Sequence, residues 1–288
     1  MSVGRVYIDG LCYEEAEGRI PVSDRGFLYG DALFETLRSY GGRAFMLERH
    51  LDRMLGSCRD FGIRPREGRA EFARAVDELV SQVGPDCYIR ICVTRGSGFG
   101  PWPRAHPAHG RTVIVARPLK GYPPDLYERG MRLVTGAVPR AHLSPLSEHK
   151  TANYLDSVLA RREAASEGAD EALLLNTEGR VAELSAANLF AVSNGRLITP
   201  EVAEGALPGI TRALVLELAA RLGIPAGEVR LEPGELARAG EIFATNSVLE
   251  ICPVTELDGA PLSAGAHGPV TARLRAAYRE EVDRFCSP

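Results

Sequence analysis

The stretch DALFETLRSYGGRAFML (31–47) indicates how the first part of the chain folds. Its apolar residues lie on both sides of Tyr40-Gly41-Gly42, a tight-turn signal, so it predicts two strands joined as a hairpin. The next stretch, ERHLDRMLGSCRDFGI (48–63), places apolar residues at helical spacing and predicts a helix directly after the hairpin. Strands therefore come first, and a helix follows the hairpin.

Further strands and one more helix complete a predicted first domain. EFARAVDELVSQVG (71–84) has the spacing of an amphipathic helix, and CYIRICVTRGSG (87–98) and RTVIVARPL (111–119) are typical of strands. The Gly- and Pro-rich GSGFGPWPRAHPAHG (96–110) predicts a long connection between these strands. We expect a small N-terminal α/β domain over residues 1–117, followed by a linker over 118–130 that contains the solvated Lys120.

The rest of the chain, residues 131–288, predicts a larger second domain. Stretches 131–140, 169–200 and 239–257 have the composition of strands, and 152–168 and 210–223 have the periodicity of helices. The predicted fold class is therefore α/β or α+β with two domains.

The composition excludes several classes of function. The chain has 288 residues, 45% of them hydrophobic and 25% charged, and its net charge of −4 does not favour nucleic acid or an anionic membrane as a partner. No apolar run approaches the roughly 18 residues of a membrane-spanning helix. The six cysteines show no metal-ligand spacing and the start lacks a signal-peptide pattern, which predicts a reduced, cytoplasmic protein without a metal site.

Lysine is scarce, and this limits amine chemistry to two positions. Of the 34 basic side chains 32 are Arg, and the two lysines are Lys120 and Lys150. A guanidinium stays protonated, whereas a lysine amine can lose its proton and form a Schiff base. Lys150 lies directly before a predicted helix, so its side chain can project from the end of an element.

Three segments after Lys150 have the chemistry to hold a phosphorylated, aromatic cofactor. Pro208-Gly209-Ile210-Thr211 begins a predicted helix, where backbone N–H groups and the helix dipole attract an anion. Thr245-Asn246-Ser247 follows a predicted strand and offers further amide and hydroxyl donors. Glu183 lies among apolar residues of a strand, where a carboxylate needs a cationic or protonated partner.

These segments resemble those of a known enzyme class. SDRGFLYGDALFETLR (23–38) and ERHLDRM (48–54) are two of seven motifs that stand in the same order as in the fold-type IV pyridoxal-phosphate enzymes. The other five are YIRICVTRGSG (88–98), HKTANYLDSVLARREA (149–164), EGRVAELSAANLF (178–190), LPGITR (207–212) and ATNSVLEICPV (244–254). The class includes branched-chain aminotransferases, D-amino acid aminotransferases and aminodeoxychorismate lyases. The resemblance implies a C-terminal domain with a pseudo-barrel of strands, a homodimer, and pyridoxal 5′-phosphate as cofactor.

The resemblance also implies a role for individual residues. Lys150 would form the Schiff base and transfer the proton at the substrate Cα. Glu183 would keep the pyridine nitrogen protonated, and Tyr154 would bind the phenolic oxygen. The remaining residues would bind the phosphate: Arg49 of the ERH motif, Ile210, Thr211, Asn246 and Ser247.

Substrate markers leave three members of the class open. Tyr154 and the strand with Tyr88 and Arg90 resemble the branched-chain group, in which Phe34 and Arg38 match pocket positions, although the proline of that group's YIRP pattern is absent here. Arg104 and His106 resemble the carboxylate-binding RxH of D-amino acid aminotransferases, displaced by four residues. Thr36 lies where the lyases carry a catalytic threonine, although the arginine that follows their RGSGG is missing.

We therefore expect an enzyme that transfers amino groups from a branched-chain or other apolar L-amino acid to a 2-oxo acid such as 2-oxoglutarate, in a ping-pong reaction. D-amino acid transamination is the second hypothesis and the lyase reaction the third. A protein that binds the cofactor without turnover is disfavoured because Lys150, Glu183 and Arg49 are all present.

Overall fold

The computed structural model describes residues 4–100, 109–262, 265 and 268–286. By their internal contacts these residues form two compact units. The described residues within Met1–Lys120, Lys150–Asn153 and Phe285–Pro288 form the first unit, and those within Gly121–His149 and Tyr154–Arg284 form the second.

The first unit is built on a six-stranded antiparallel sheet with the strand order β2-β1-β6-β5-β3-β4. Its strands are β1 (Arg5–Ile8), β2 (Leu11–Glu14), β3 (Ala32–Tyr40), β4 (Arg43–Ala44), β5 (Cys87–Thr94) and β6 (Arg111–Pro118). Its helices are α1 (Arg25–Tyr29), α2 (Leu47–Asp60) and α3 (Arg69–Val83). The apolar sides of α2 and α3 and one face of the sheet form a single core, in which Leu37, Leu51 and Phe72 are completely buried.

The predicted hairpin is present, and its turn requires glycine. Gly41 and Gly42 connect β3 to β4 with φ angles of 55° and 86°. A two-residue turn with positive φ at both positions matches the twist of the flanking strands, and glycine adopts it without steric cost. The predicted helix follows as α2.

The second unit contains a nine-stranded mixed sheet in the order β12-β11-β10-β13-β14-β7-β8-β9, with β15 paired to β14. The strands are β7 (Met131–Thr135), β8 (Glu171–Leu175), β9 (Val181–Leu184), β10 (Asn188–Ser193), β11 (Arg196–Pro200), β12 (Ala226–Val229), β13 (Glu241–Asn246), β14 (Glu250–Leu257) and β15 (Ala260–Pro261). The helices are α4 (Pro124–Arg129), α5 (Leu155–Ser166), α6 (Ile210–Arg221), α7 (Pro233–Leu236) and α8 (Pro269–Cys286). Because β9 approaches β10 and β11, the sheet curls into a half-barrel, and the predicted fold class is confirmed.

Two details differ from the pattern read in the sequence. The segment predicted as a linker contains α4, a short helix that begins with Pro124 and buries Leu126. Its six residues are too few for a clear helical period, and its prolines and glycines are typical of a connector. Lys150–Asn153 groups with the first unit because its backbone is hydrogen-bonded to β3. Within the described ranges, no helix is long and apolar enough to cross a membrane.

Candidate active site

Lys150 is attached to the sheet of the first unit through its backbone. Its carbonyl oxygen accepts a hydrogen bond from the backbone N–H of Phe34 at 2.9 Å, and Ala152 N–H donates to Ala32 at 2.8 Å. The position of Lys150 is therefore set by β3, whose register is fixed by seven residue pairs with β5. Its Nζ lies 4.4 Å from the ring centroid of Phe34. Lys120, by contrast, is exposed.

The predicted substrate residues of the first unit share one face of the sheet. Side chains along a strand point alternately to its two faces, so Phe34 and Arg38, an even number of positions apart on β3, point to the same side. Arg38 is paired in register with Tyr88 of β5. Arg90 Cζ lies 3.8 Å from the ring centroid of Phe34. Phe34 thus has an amine and a guanidinium against its ring, and Thr36 lies on the same face. Arg104 and His106 lie outside the described residues.

A buried ionic cluster lies on the other side of β3, and its members were not predicted from the sequence. Glu35 accepts hydrogen bonds from Arg53 Nε at 2.7 Å and Arg53 Nη2 at 2.6 Å, and it is 2.7 Å from His50 Nδ1. The carboxylate of Glu35 and the ring of His50 are almost completely buried. The spacing of His50 and Arg53, three residues apart on α2, was the available signal because such residues share a helix face.

Electrostatics keep this cluster in one charge state. Burial by itself would raise the pKa of Glu35, but the charge of Arg53 and the hydrogen bonds from His50 and Arg53 lower it to about 2. Burial lowers the pKa of His50, with smaller contributions from the charges of Arg53 and Lys150, while Glu35 opposes this shift. The cluster therefore consists of a carboxylate, a guanidinium and a neutral imidazole near the charge of Lys150. Arg49, the arginine predicted from the sequence, is exposed on the first turn of α2.

Glu183, in the second unit, is a buried carboxylate with several donors. Its Oε1 lies 3.2 Å from Arg140 Nη2, and its Oε2 accepts hydrogen bonds from Leu207 N–H at 2.9 Å and from Asn188 Nδ2 at 3.3 Å. The predicted need for a cationic partner is thus met within the chain by Arg140, a residue that the sequence motifs did not single out. An adjacent guanidinium favours the ionised form of a buried carboxylate.

Tyr154 directly precedes α5, and its hydroxyl donates to the carbonyl oxygen of Ser185 at 3.0 Å. Burial raises the pKa of this phenol to about 12, and the negative charges of Glu183 and Glu171 contribute to the shift. The hydroxyl therefore keeps its proton over the whole physiological pH range.

The N-terminus of α6 is the place in the second unit where the sequence predicts an anion site. Its N-cap is Gly209, and the first turn contains no acidic residue, so no side-chain carboxylate competes for the backbone N–H groups there. A Cβ at Gly209 would lie only 2.0 Å from Asn188 Oδ1, so a larger residue at this position would displace the Asn188 amide. Thr211 is buried in the same turn.

Asn246 and Ser247 lie where β13 ends, at the start of a turn. Asn246 Oδ1 accepts hydrogen bonds from Val248 N–H at 2.9 Å and Leu249 N–H at 2.7 Å, and its Nδ2 donates to Ala186 O at 3.0 Å. The amide of Asn246 thus shapes the turn that carries the hydroxyl of Ser247.

The donor set matches the chemistry of pyridoxal phosphate. A reactive carbonyl requires an amine, which Lys150 supplies, and a pyridine nitrogen that stays protonated requires a carboxylate such as Glu183. A phosphate requires backbone N–H groups and hydroxyls, which the α6 N-terminus and Ser247 supply. The first unit contains the amine, and the second contains the carboxylate and the anion-binding groups, so the residue types fit the cofactor.

Comparisons with known proteins agree with these observations. The family model described as amino-transferase class IV matches residues 32–257. A putative branched-chain-amino-acid aminotransferase of Methanocaldococcus jannaschii is 38% identical over 281 residues, which cover 96% of each chain. The branched-chain amino acid aminotransferase of T.th., solved with N-(5′-phosphopyridoxyl)-L-glutamate, is 32% identical with a TM-score of 0.90 and covers 99% of this chain and 96% of its own.

A 4-amino-4-deoxychorismate lyase from Pseudomonas aeruginosa is also similar, with 32% identity, a TM-score of 0.86, and coverage of 96% of this chain and 99% of its own. The matched family model and the M. jannaschii relative confirm the predicted class of enzyme and its cofactor. The chain belongs to the class IV aminotransferases and is a pyridoxal-phosphate-dependent transaminase.

Proposed function

We propose that the protein transfers the amino group of a branched-chain or other apolar L-amino acid to a 2-oxo acid such as 2-oxoglutarate, in a ping-pong reaction. The observation that carries the proposal is the surroundings of Lys150. Its amine lies 4.4 Å from the centroid of the Phe34 ring, and Arg90 lies 3.8 Å from the same centroid. An amine, an apolar ring and a cation for a carboxylate are therefore held together on one sheet face.

Lys150 performs the proton transfer in this proposal. When bound, pyridoxal phosphate supplies an electron-withdrawing ring that stabilises negative charge at the substrate Cα. With the cofactor bound, Lys150 Nζ would hold its carbonyl carbon, and as a neutral amine it would take the proton from the substrate Cα. The backbone hydrogen bond to Phe34 keeps Lys150 at the edge of β3 throughout.

Glu183 and Tyr154 act on the cofactor ring. The Glu183 carboxylate would accept a hydrogen bond from the protonated pyridine nitrogen, and the adjacent Arg140 guanidinium would favour its ionised form. Tyr154 remains a neutral donor because its pKa is about 12, so it can hydrogen-bond the phenolic oxygen of the cofactor. Its hydroxyl would then redirect its hydrogen bond from Ser185 to the cofactor.

The phosphate is assigned to the α6 N-terminus with Ile210 and Thr211, to the Asn246-Ser247 turn, and to an arginine of α2. The sequence motif predicts Arg49 for this role. The structure adds Arg53, whose guanidinium is held by two hydrogen bonds to Glu35 and belongs to the cluster near Lys150. A guanidinium held in place binds a phosphate with less loss of side-chain entropy than an exposed one.

The substrate side chain is assigned to Phe34 and Tyr88, whose aromatic rings lie on the same sheet face as the arginines. Arg38 and Arg90 are the candidates for the substrate carboxylate, since a guanidinium binds a carboxylate through two parallel hydrogen bonds. The identity of 38% with a branched-chain relative supports an apolar L-amino acid as donor.

The protein is proposed to form a homodimer. Large apolar side chains are exposed between residues 20 and 29 and at Phe99. Singly scattered exposed apolar residues are common on proteins, whereas several of them in one segment indicate an interaction surface. The exposed residues of this segment are Ile20, Val22, Phe27, Leu28 and Tyr29. A second copy that covers them would remove this surface from water.

All six cysteines are free thiols, which supports the predicted cytoplasmic location.

The deciding experiment is a half-reaction screen of matched L- and D-amino acids with the purified holoenzyme, followed by loss of the absorption band of bound pyridoxal phosphate. We expect fast loss with L-leucine or L-valine and little loss with D-alanine. The opposite preference would identify a D-amino acid transaminase. Inertness toward every amino acid, with pyruvate released from aminodeoxychorismate, would identify a lyase.

A further inference from the structure

Asn188, the first residue of β10, lies at the centre of a closed set of hydrogen bonds. Its Nδ2 donates to the carbonyl oxygen of Leu207 at 2.9 Å and to Glu183 Oε2 at 3.3 Å. Leu207 N–H donates to the same Glu183 oxygen at 2.9 Å. The side chain of Asn188 is buried, so this amide group ties the carboxylate of Glu183 to the backbone of Leu207 without competition from bulk water.

The same amide contacts the start of α6. A Cβ built on Gly209 would lie 2.0 Å from Asn188 Oδ1, which means that the amide lies directly against the N-cap of the helix. The chain passes from Leu207, held by Asn188, to Gly209 and then to Thr211 in the first helical turn. A change in the position of the Asn188 amide must therefore change the position of this turn.

Asn188 is also connected to the third segment proposed to bind the cofactor. Its backbone is paired with Thr245 in the ladder between β10 and β13, one residue before Asn246. Asn246 Nδ2 donates to Ala186 O, two residues before Asn188. Asn188 therefore contacts, directly or through the sheet, the segments that carry Glu183, Thr211 and Ser247.

We infer that Asn188 is a positioning residue that couples the carboxylate of Glu183 to the anion-binding turn of α6. The inference rests on the proposed function, in which these two groups bind opposite ends of one cofactor. Two groups that bind one rigid ligand contribute fully only when their separation matches that ligand, and Asn188 is the side chain that sets this separation. An asparagine serves here because one NH₂ group supplies two donors, for the carboxylate and for the carbonyl.

The test is a pair of double-mutant cycles read by the affinity of apoenzyme for pyridoxal phosphate. Asn188→Ala is combined with Glu183→Gln in one cycle and with Thr211→Val in the other. We expect Asn188→Ala alone to weaken binding about tenfold or more, as loss of a buried hydrogen bond to a charged group does. We expect the effect of Asn188→Ala on this affinity to change by at least about threefold when Glu183 or Thr211 is already substituted, since the effects of coupled sites are not additive.

Additive effects in either cycle would overturn the inference, because a residue that only stabilises the fold acts independently of both partners. Asn188→Asp serves as the second variant, since it keeps the side-chain shape but removes the donor, and the same coupling is expected. Thr271→Val is the matched control. It removes another buried hydrogen bond to a carboxylate, 2.7 Å from Glu241, outside the proposed cofactor segments, and is expected to leave the affinity unchanged.

Thermal unfolding of each variant establishes that it is folded at the temperature of the binding measurement. Failure of the proposed function has a different signature: the wild-type apoenzyme would not bind pyridoxal phosphate, or Lys150→Ala would keep full turnover. A wild-type protein that binds the cofactor and shows additive cycles would contradict the role of Asn188 alone.

Discussion

The backbone of Lys150 pairs with that of Phe34, and the Lys150 amine also lies 4.4 Å from the centroid of the Phe34 ring. The same aromatic residue thus holds the lysine through its main chain and contacts it through its side chain. Because the register of β3 is set by its pairing with β5, the sheet positions the amine of Lys150.

Replacement of the two lysines by arginine separates the two candidates for amine chemistry. Lys150→Arg keeps the charge but cannot form an imine, so turnover should fall by about 10²–10⁴-fold or more, the range for loss of a proton-transferring group. Lys120→Arg, at an exposed position, should leave turnover unchanged. Borohydride reduction followed by peptide mass spectrometry should find the cofactor on Lys150, and a label on Lys120 would refute the assignment.

Tyr154→Phe should lower kcat by more than its small loss of stability explains. Tyr154 and Tyr127 each donate one hydrogen bond to a backbone carbonyl at 3.0 Å, to Ser185 and Leu249 respectively. Removal of either hydroxyl should cost about 1 kcal/mol of unfolding free energy. Only Tyr154→Phe should also lower kcat, by about tenfold or more, because only Tyr154 is proposed to contact the cofactor. Equal kcat values for the two variants would contradict this role.

Arg53→Lys and Arg49→Lys distinguish the two arginines proposed for the phosphate. Lysine keeps the positive charge but loses the planar fork that Glu35 holds. We expect Arg53→Lys to weaken binding of pyridoxal phosphate by about tenfold, as loss of a charge-assisted hydrogen bond does. Arg49→Lys should change it by less than about twofold, as expected for an exposed charge. A fluorescence titration measures both, and the reverse order would restore the assignment to Arg49.

Glu35 should make the unfolding free energy decrease as the pH falls in the acid range. Its pKa is lowered in the folded state from the ordinary 4.5 to about 2, so its stabilising contribution is present above pH 4.5 and is lost as the pH falls through 2. The shift corresponds to about 3 kcal/mol for this buried group. Glu35→Gln should therefore be less stable than wild type at pH 6, and the difference should shrink between pH 4.5 and 2.

Glu48→Gln is the control for that experiment. Glu48 forms an ion pair with Arg69 in which both side chains are largely exposed, so its loss should change the unfolding free energy far less than the loss of Glu35 does. Denaturant unfolding at several pH values measures all three proteins. If the unfolding free energies of wild type and Glu35→Gln differed by the same amount over the whole acid range, the proposed role of the buried carboxylate would be contradicted.

Much of the architecture was predictable because it depends on local patterns. The turn at Gly41-Gly42, the helix that follows it and the α6 start at Pro208-Gly209 are each encoded within a few residues, and the structure contains all three. The short helix α4 was missed because six residues between prolines and glycines carry no clear period. The seven ordered motifs pointed to the enzyme class, which the family match confirms.

The arrangement around the candidate site was not predictable in the same way. Glu35, His50 and Arg53 meet because α2 packs on one face of β3, and Arg140 meets Glu183 although 43 residues separate them in the sequence. Such contacts depend on sheet register and helix packing, in which a shift of one residue would turn Glu35 to the opposite face. Arg53 and Asn188 became candidates only through their contacts.

The sequence by itself determined most of the elements, the enzyme class and the preference for Lys150 over Lys120 as the candidate lysine. Periodicity, turn chemistry and the reactivity of an amine are properties of residue types and their spacing. Only the tertiary structure decided what surrounds that lysine and which side chains hold Glu183. Those contacts join residues far apart in the chain. Their geometry is set by packing, which the pattern of a short stretch of sequence does not predict.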